Sequence, residues 1–184
     1  MSKLYKINVA SGRYPIRGFI NLDNSIFLYF LPFYPLFKKF LKKEHREIFD
    51  KFLKHSSSYV YKKHNCKKSL PFKNNSVDHI ICSHFIEHVY PVQAEIILKD
   101  FKRVLSPTGT LHLIVPDLRF HISKYMDSKS PEASYEFIDN LILTRRKEPS
   151  IIYKFLNNFL DNGLNHKWMY DYEGLQKLVI DNGF

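Results

Sequence analysis

Apolar and polar positions along the chain form blocks with alternately strand-like and helix-like spacing. Short apolar runs bounded by turn residues have the length of buried strands, and they are Leu4–Ala10, Phe19–Leu22, Tyr59–Tyr61, His79–Ser83 and Thr110–Val115. Apolar residues at helical spacing predict helices over Pro91–Leu105, from Ser130-Pro131 onward, over about Ser150–Leu160, and from Asp171 as N-cap to Asn182-Gly183. This alternation predicts an α/β fold with a mostly parallel sheet, whose ligands bind beyond the carboxyl ends of the strands.

Two connections in this pattern are unusual. Only Ser11–Gly18 links the first two strands, whereas a parallel crossover normally takes a dozen or more residues. We therefore expect the first helix to be shortened to about one turn, which argues against a nicotinamide-binding unit with a full helix there. Residues 25–56, between the second and third strands, are aromatic and then basic, and they predict an inserted helical segment.

Composition is that of one globular domain, which we assign to residues 1–184. The chain has 184 residues, of which 45% are hydrophobic, and its two cysteines make neither a disulfide framework nor a four-ligand metal site. Without a visible signal peptide, this favours a cytoplasmic location. The longest uncharged apolar run, Ile26–Phe37, contains prolines and is too short to cross a bilayer.

A formal net charge of +10 suits nucleic acid, an anionic membrane or a phosphorylated substrate. A general bias toward lysine and away from glycine explains it as well, so nucleic acid is not the expected partner. Residues 26–54 carry seven Lys or Arg and three acids behind an aromatic stretch. This segment predicts either a lid or membrane-surface contact, or a helix packed on the sheet edge.

Candidate ligand-binding residues follow the predicted strands. Ala10, Ser11 and Gly12 end the first strand, where small residues let a ligand approach the backbone, and Asp23 ends the second, where a carboxylate can bind ribose hydroxyls. Asn65 follows the third strand, and Ser83 and His84 end and follow the fourth.

His84, Glu87 and His88 have spacings of three and four, so on a helix they would share one face. That spacing suits a metal, but a carboxylate that pairs with a histidine to orient a substrate or to cap the helix is the expected use, and we predict no metal. His166, before the last helix, is either a substrate-facing residue or part of a segment serving core packing and capping. If the reaction needs a base, His84 is the first candidate and His166 the second.

Two long stretches resemble a known family. LPFKNNSVDHIICSHFIEHV followed by LKDFKRVLSPTGTLHLIVPD is similar to the central segment of class I methyltransferases that use S-adenosylmethionine, especially the small-molecule group related to the type 11 methyltransferase domain. INVASGRYPIRGFINLD resembles the cofactor loop of one subgroup, and HKWMYDYEGLQKLVIDNGF resembles its last helix.

The resemblance implies a Rossmann-like three-layer sandwich that binds S-adenosylmethionine. Ala10, Ser11 and Gly12 would approach the amino-acid part of the cofactor and Asp23 its ribose. Asn65 would lie near the adenine amino group, and Ser83 and His84 on the methyl-transfer face. Ala10 replaces a family glycine and Asn65 a family acid, and both changes weaken the expected cofactor affinity.

The implied activity is methyl transfer to a small-molecule acceptor, such as a sugar or a lipid-linked intermediate. The alternatives are a catalytically inactive binding module that keeps the fold, and an RNA methyltransferase. Family members end with an antiparallel hairpin after the last helix, and no such hairpin is predicted here. We therefore expect a C-terminally truncated sheet of about five strands, with the fifth as an uncovered edge.

Overall fold

The computed structural model describes residues 4–12, 14–24, 33–41, 43, 46–47, 49–50, 53, 58–144 and 165–184. The strands of this described part are β1 (Tyr5–Val9), β2 (Ile20–Asp23), β3 (Val60–Lys63), β4 (Val77–Ser83) and β5 (Leu105–Ile114). Its α-helices are α1 (Tyr34–Phe37), α2 (Pro91–Val104), α3 (Leu118–Asp127), α4 (Ala133–Leu141) and α5 (Tyr172–Asp181). Single 3-10 turns cover Lys38–Phe40 and Ile86–His88.

The strands form one parallel sheet in the order β3-β2-β1-β4-β5. Ile7 of β1 lies opposite Ile20 of β2 and Ile80 of β4, and Ile20 lies opposite Val60 of β3. Parallel pairing brings the carboxyl ends of β1 to β4 to the same edge of the sheet, as ligand sites in this fold class require. The predicted α/β class, the parallel sheet and the five strands are confirmed for the described residues, and β5 lies at one edge of the order.

Contacts divide the chain into two compact units. The first comprises Met1–Ser83 and Arg103–Leu113 and contains nearly the whole sheet, and the second comprises His84–Lys102 and Ile114–Phe184. Strand residues with fully buried side chains form the core of the first unit: Ile7, Val9, Leu22, Val77, Ile80 and Cys82. In the second unit the buried apolar side chains come from residues 86–89, one stripe of α2, the end of α4 and the segment before α5: Ile86, Val89, Ala94, Ile97, Leu98, Phe101, Leu141 and Tyr170.

Two element boundaries differ from the predicted ones by several residues, and one helix was not predicted. The strand predicted to start at Thr110 starts at Leu105, directly after α2, so Ser106–Gly109 lies within β5. The helix predicted from Ser130 begins at Ala133. Helix α3 was not predicted, although Leu118, Ile122 and Tyr125 have helical spacing in its sequence.

Two predicted elements fall mainly outside the described residues. The helix predicted over Ser150–Leu160 lies entirely outside them, and the 25–56 segment is described only in part. In that part, α1 and the following 3-10 turn are helical, and Tyr34 is buried against Phe49 with stacked rings whose centroids are 4.7 Å apart. Among the described helices, none combines the length and the apolar character needed to cross a membrane.

Candidate functional site

Two buried asparagines hold the short connection between β1 and β2. Asn8 donates from Nδ2 to Asn21 Oδ1 at 2.9 Å and to the Tyr14 carbonyl at 3.0 Å. Asn21 is fully buried, and its Oδ1 also accepts from the Ile16 backbone N–H at 2.8 Å. Amide side chains can replace the backbone hydrogen bonds that a full helix would otherwise make. The predicted reduction to about one turn is confirmed, since the Tyr14 N–H donates to the Ser11 carbonyl at 2.9 Å.

The turn after β1 adopts a left-handed backbone at two positions. Ala10 has φ 51° and Gly12 has φ 50°. Glycine adopts this conformation freely, whereas a residue with a Cβ is strained there by roughly 1–2 kcal/mol. Ala10 therefore carries backbone strain at the position where the resembling family has glycine. Apart from its chain neighbours, no described residue has an atom within 4 Å of the place where a Cβ on Gly12 would be, so this turn is open to a close ligand.

Asp23 connects the ends of β1 and β2. Its side chain is 8% exposed, and its Oδ2 accepts a 2.6 Å hydrogen bond from the Gly12 backbone N–H. A carboxylate has about four acceptor positions, so it can bind further donors while it holds Gly12. Ser11, beside this pair, is also buried, and its Oγ has no hydrogen-bond partner among the described residues. A buried hydroxyl without a partner calls for an additional group at the site.

The segment after β3 closes against the same turn. Asn65 accepts from the Lys67 N–H through Oδ1 at 3.0 Å, and Cys66 is buried with its thiol near the Ala10 backbone. Burial raises the pKa of the Cys66 thiol to about 12, so it is an inert packing group. Ser83 is the last residue of β4. The candidate cofactor-binding residues of the first unit thus belong to the carboxyl edge of one sheet: Ala10, Ser11, Gly12, Asp23, Asn65 and Ser83.

In the second unit, His84 begins a strained turn around a buried carboxylate. His84 has φ 53°, and its backbone N–H donates to the Ile114 carbonyl at 2.9 Å. Its side chain is 61% exposed, and its Nδ1 lies 3.2 Å from Glu87 Oε1. Glu87 is fully buried, and burial is the main cause that raises the pKa of its carboxyl. Strained backbone next to a buried carboxylate that pairs with a histidine is typical of functional sites.

His166 joins the same cluster from a distant part of the sequence. The neighbouring Lys167 and Trp168 backbone N–H groups donate to the Glu87 carbonyl at 2.6 and 3.2 Å, and the His166 and His88 rings meet edge to face at 4.8 Å. Burial and the nearby His88 lower the pKa of His166 to about 4, so its ring is neutral at pH 7. The two predicted bases, His84 and His166, therefore both lie close to Glu87.

Sequence reasoning missed the supporting residues of both sites. Asn8 and Asn21 were not singled out, although a polar residue within an otherwise buried strand is a detectable signal. Glu87 was noted only for its spacing from two histidines. Its burial depends on contacts with residues far away in the sequence, which no local pattern contains.

Comparison with known proteins finds a matching family model and several structures of similar fold. Residues 38–113 match the type 11 methyltransferase family, described as a methyltransferase domain. The fold is also similar to that of a methyltransferase dependent on S-adenosylmethionine from Thermotoga maritima, with 18% identity and a TM-score of 0.52 over 100% of this chain and 65% of that one. The chain has the Rossmann-like fold of methyltransferases that use S-adenosylmethionine. No curated protein matches it.

Two further structures have a fold similar to that of this chain. A methyltransferase dependent on S-adenosylmethionine from Methanosarcina mazei is 15% identical, with a TM-score of 0.51 over 99% of this chain and 80% of that one. The complex of DhpI with SAM and HEP is 14% identical, with a TM-score of 0.54 over 98% of this chain and 70% of that one. At such identities the likeness shows the fold, and the chain spans 65% of the length of the Thermotoga maritima protein.

Proposed function

We propose that this methyltransferase domain binds S-adenosylmethionine at the carboxyl edge of its sheet and methylates a small-molecule acceptor, such as a sugar or a lipid-linked intermediate. The observation that carries the proposal is the turn after β1, where the buried Asp23 carboxylate holds the Gly12 N–H at 2.6 Å. The acceptor class rests on the family resemblance alone, and the proposed cytoplasmic location rests on the cysteine content of the sequence.

The residues at this edge fit the cofactor. The open backbone at Gly12 and the unpartnered Ser11 hydroxyl suit its polar amino-acid part, and Asp23 can accept from ribose hydroxyls. Asn65 and Ser83 complete the set at the ends of β3 and β4. When bound, S-adenosylmethionine supplies an electrophilic methyl group. Ala10 is tolerated because its left-handed backbone costs only roughly 1–2 kcal/mol.

His84 is the residue of this chain best suited to take a proton from the acceptor. It is exposed, and Glu87 lies 3.2 Å from its Nδ1 and can hold one ring orientation. His166, whose pKa is lowered to about 4, is a weaker base at neutral pH. Most of the rate can come from holding the reactants together, which contributes up to roughly 7–11 kcal/mol in favourable cases.

Calorimetry with S-adenosylmethionine, followed by transfer of a labelled methyl group to panels of sugars, lipid-linked sugars and RNA, tests this proposal. We expect saturable cofactor binding and labelling of one small-molecule class, with His84→Gln lowering kcat while the cofactor Kd stays unchanged. Binding without labelling of any panel would favour the inactive module, and labelling of RNA alone would favour the nucleic-acid alternative. Absence of cofactor binding would overturn the proposal.

A peripheral membrane contact through residues 26–54 is a second, separate proposal. In the described part of this segment Leu36 is 77% and Phe40 88% exposed, next to the exposed Lys38 and Lys39. Exposed apolar side chains beside cations favour an anionic membrane surface. Sedimentation with anionic liposomes at low salt should pellet the protein, and the double variant Leu36→Ser, Phe40→Ser should stay in the supernatant. Equal sedimentation of both proteins, or of neither, would contradict the proposal.

A further inference from the structure

The cluster formed by Glu87, His88 and His166 has the composition of a metal site. One carboxylate oxygen and one nitrogen from each ring lie within 4.8 Å of one another. Glu87 and His88 come from the 3-10 turn Ile86–His88, and His166 comes from the segment before α5. Backbone hydrogen bonds from Lys167 and Trp168 to the Glu87 carbonyl hold these two segments together.

Two side-chain atoms of the cluster are buried without a hydrogen-bond partner among the described residues. They are Oε2 of Glu87, which is fully buried, and Nδ1 of His166, which is 6% exposed. Leaving such an atom unsatisfied costs about 1–3 kcal/mol, and more for a charged group, so native proteins rarely leave two side by side. A metal ion would satisfy both atoms at once, because a neutral imidazole nitrogen and a carboxylate oxygen are both donors of lone pairs.

The three side chains also form hydrogen bonds of the kind that metal ligands usually form through atoms that do not contact the ion. His88 Nδ1 lies 3.3 Å from the Asn165 carbonyl, and the His166 ring hydrogen-bonds to the backbone of Leu141. Ligating histidines almost always donate their second nitrogen to a carbonyl or carboxylate, which fixes the ring and selects the coordinating nitrogen. Glu87 Oε1 is similarly held by His84 at 3.2 Å, while Oε2 is the oxygen without a partner.

We propose that Glu87, His88 and His166 bind a divalent transition-metal ion, with Zn²⁺ as the ion that this set of two imidazoles and one carboxylate suits best. Zinc is bound by three such protein ligands at about 2.0–2.2 Å, with a fourth position open to water or a substrate oxygen. Around a tetrahedral ion at these lengths the ligand atoms are about 3.4 Å apart, so the side chains have to move closer together by up to about 1.4 Å from their present separation of at most 4.8 Å. The proposal revises the sequence-based expectation of no metal, and it does not depend on the proposed methyl transfer.

Titration of chelator-treated full-length protein with ZnCl₂, in the absence of S-adenosylmethionine, tests the site. We expect one ion per chain by calorimetry, and Glu87→Gln and His166→Gln should each weaken binding at least tenfold. The matched control is His112→Gln, which removes an exposed histidine that meets His79 at 4.6 Å in the first unit. This variant should bind Zn²⁺ like the parent.

A second readout needs no variant, in case a substitution at the buried Glu87 prevents folding. Co²⁺ added to the parent protein should give the intense visible absorption of a four- or five-coordinate site, and equimolar Zn²⁺ should abolish it. Absence of stoichiometric Zn²⁺ binding to the parent would overturn the proposal. Binding that survives His166→Gln but is lost in His112→Gln would also overturn it, by placing the ion at the other histidine pair.

Discussion

Replacement of Asp23 is the most direct perturbation of the cofactor edge, and two variants separate its two tasks. Asp23→Ala removes both the hydrogen bond to the Gly12 N–H and any acceptor for ribose hydroxyls. Asp23→Asn keeps an amide oxygen that can still accept from Gly12, but it removes the charge and turns the second acceptor into a donor. Asn therefore preserves the turn while it impairs ribose binding.

The expected magnitudes follow from the hydrogen bonds involved. A hydrogen bond to a charged group contributes about 1.5–3 kcal/mol. Losing the two hydrogen bonds from the ribose hydroxyls in Asp23→Ala therefore costs about 3–6 kcal/mol of binding free energy. This corresponds to a 10²- to 10⁴-fold higher Kd, at about 1.4 kcal/mol per factor of ten. For Asp23→Asn we expect a loss of about 2–4 kcal/mol, since one bond is lost and the other becomes neutral.

Calorimetry with S-adenosylmethionine measures both Kd values, and thermal unfolding shows whether each variant is folded. Asp78→Ala is the matched control, because Asp78 is also a strand carboxylate of the first unit but precedes the carboxyl edge by five residues. It should bind the cofactor like the parent. If both Asp23 variants are folded and keep the parent Kd, Asp23 does not bind the ribose and the assignment of this edge is wrong.

Three further outcomes concern stability and reactivity. Arg103 donates four hydrogen bonds of 2.9–3.2 Å to the 69–74 loop, so Arg103→Met should lower the free energy of unfolding by about 2 kcal/mol in urea titrations, and an unchanged midpoint would contradict this. Cys66 and Cys82 are buried, so both thiols should react with Ellman's reagent only in guanidinium, and rapid labelling of the native protein would disprove their burial. The N-cap hydrogen bond from Gly174 and the neighbouring Arg119 lower the pKa of Asp171 below 3.8. The stabilisation by this carboxylate is therefore present above that pH and is lost as the pH falls through the lowered pKa. The difference in free energy of unfolding between the parent and Asp171→Asn should disappear in acid.

The arrangement of elements was predictable because it depends on neighbouring residues. Apolar runs and stripes determine which residues can be buried together, and they predicted all five described strands and helices α2, α4 and α5 to within a few residues. Asp171 as N-cap and Gly183 at φ 91° agree with their predicted capping roles, which also rest on local chemistry. Helix α3 was missed, although its N-cap Asp117 and its apolar residues at helical spacing were visible signals.

The sequence by itself determined that small residues and a carboxylate follow β1 and β2, because residue types at strand ends are read directly from the chain. Only the tertiary structure decided how these residues are used. Pairing between strands determines the left-handed backbone of Ala10, the hydrogen bond from Gly12 to Asp23, and the hydrogen bond between Asn8 and Asn21. The same holds for Glu87 and His166. Their spacing along the chain carries no information, because a buried carboxylate meets a distant histidine only when the fold closes around both.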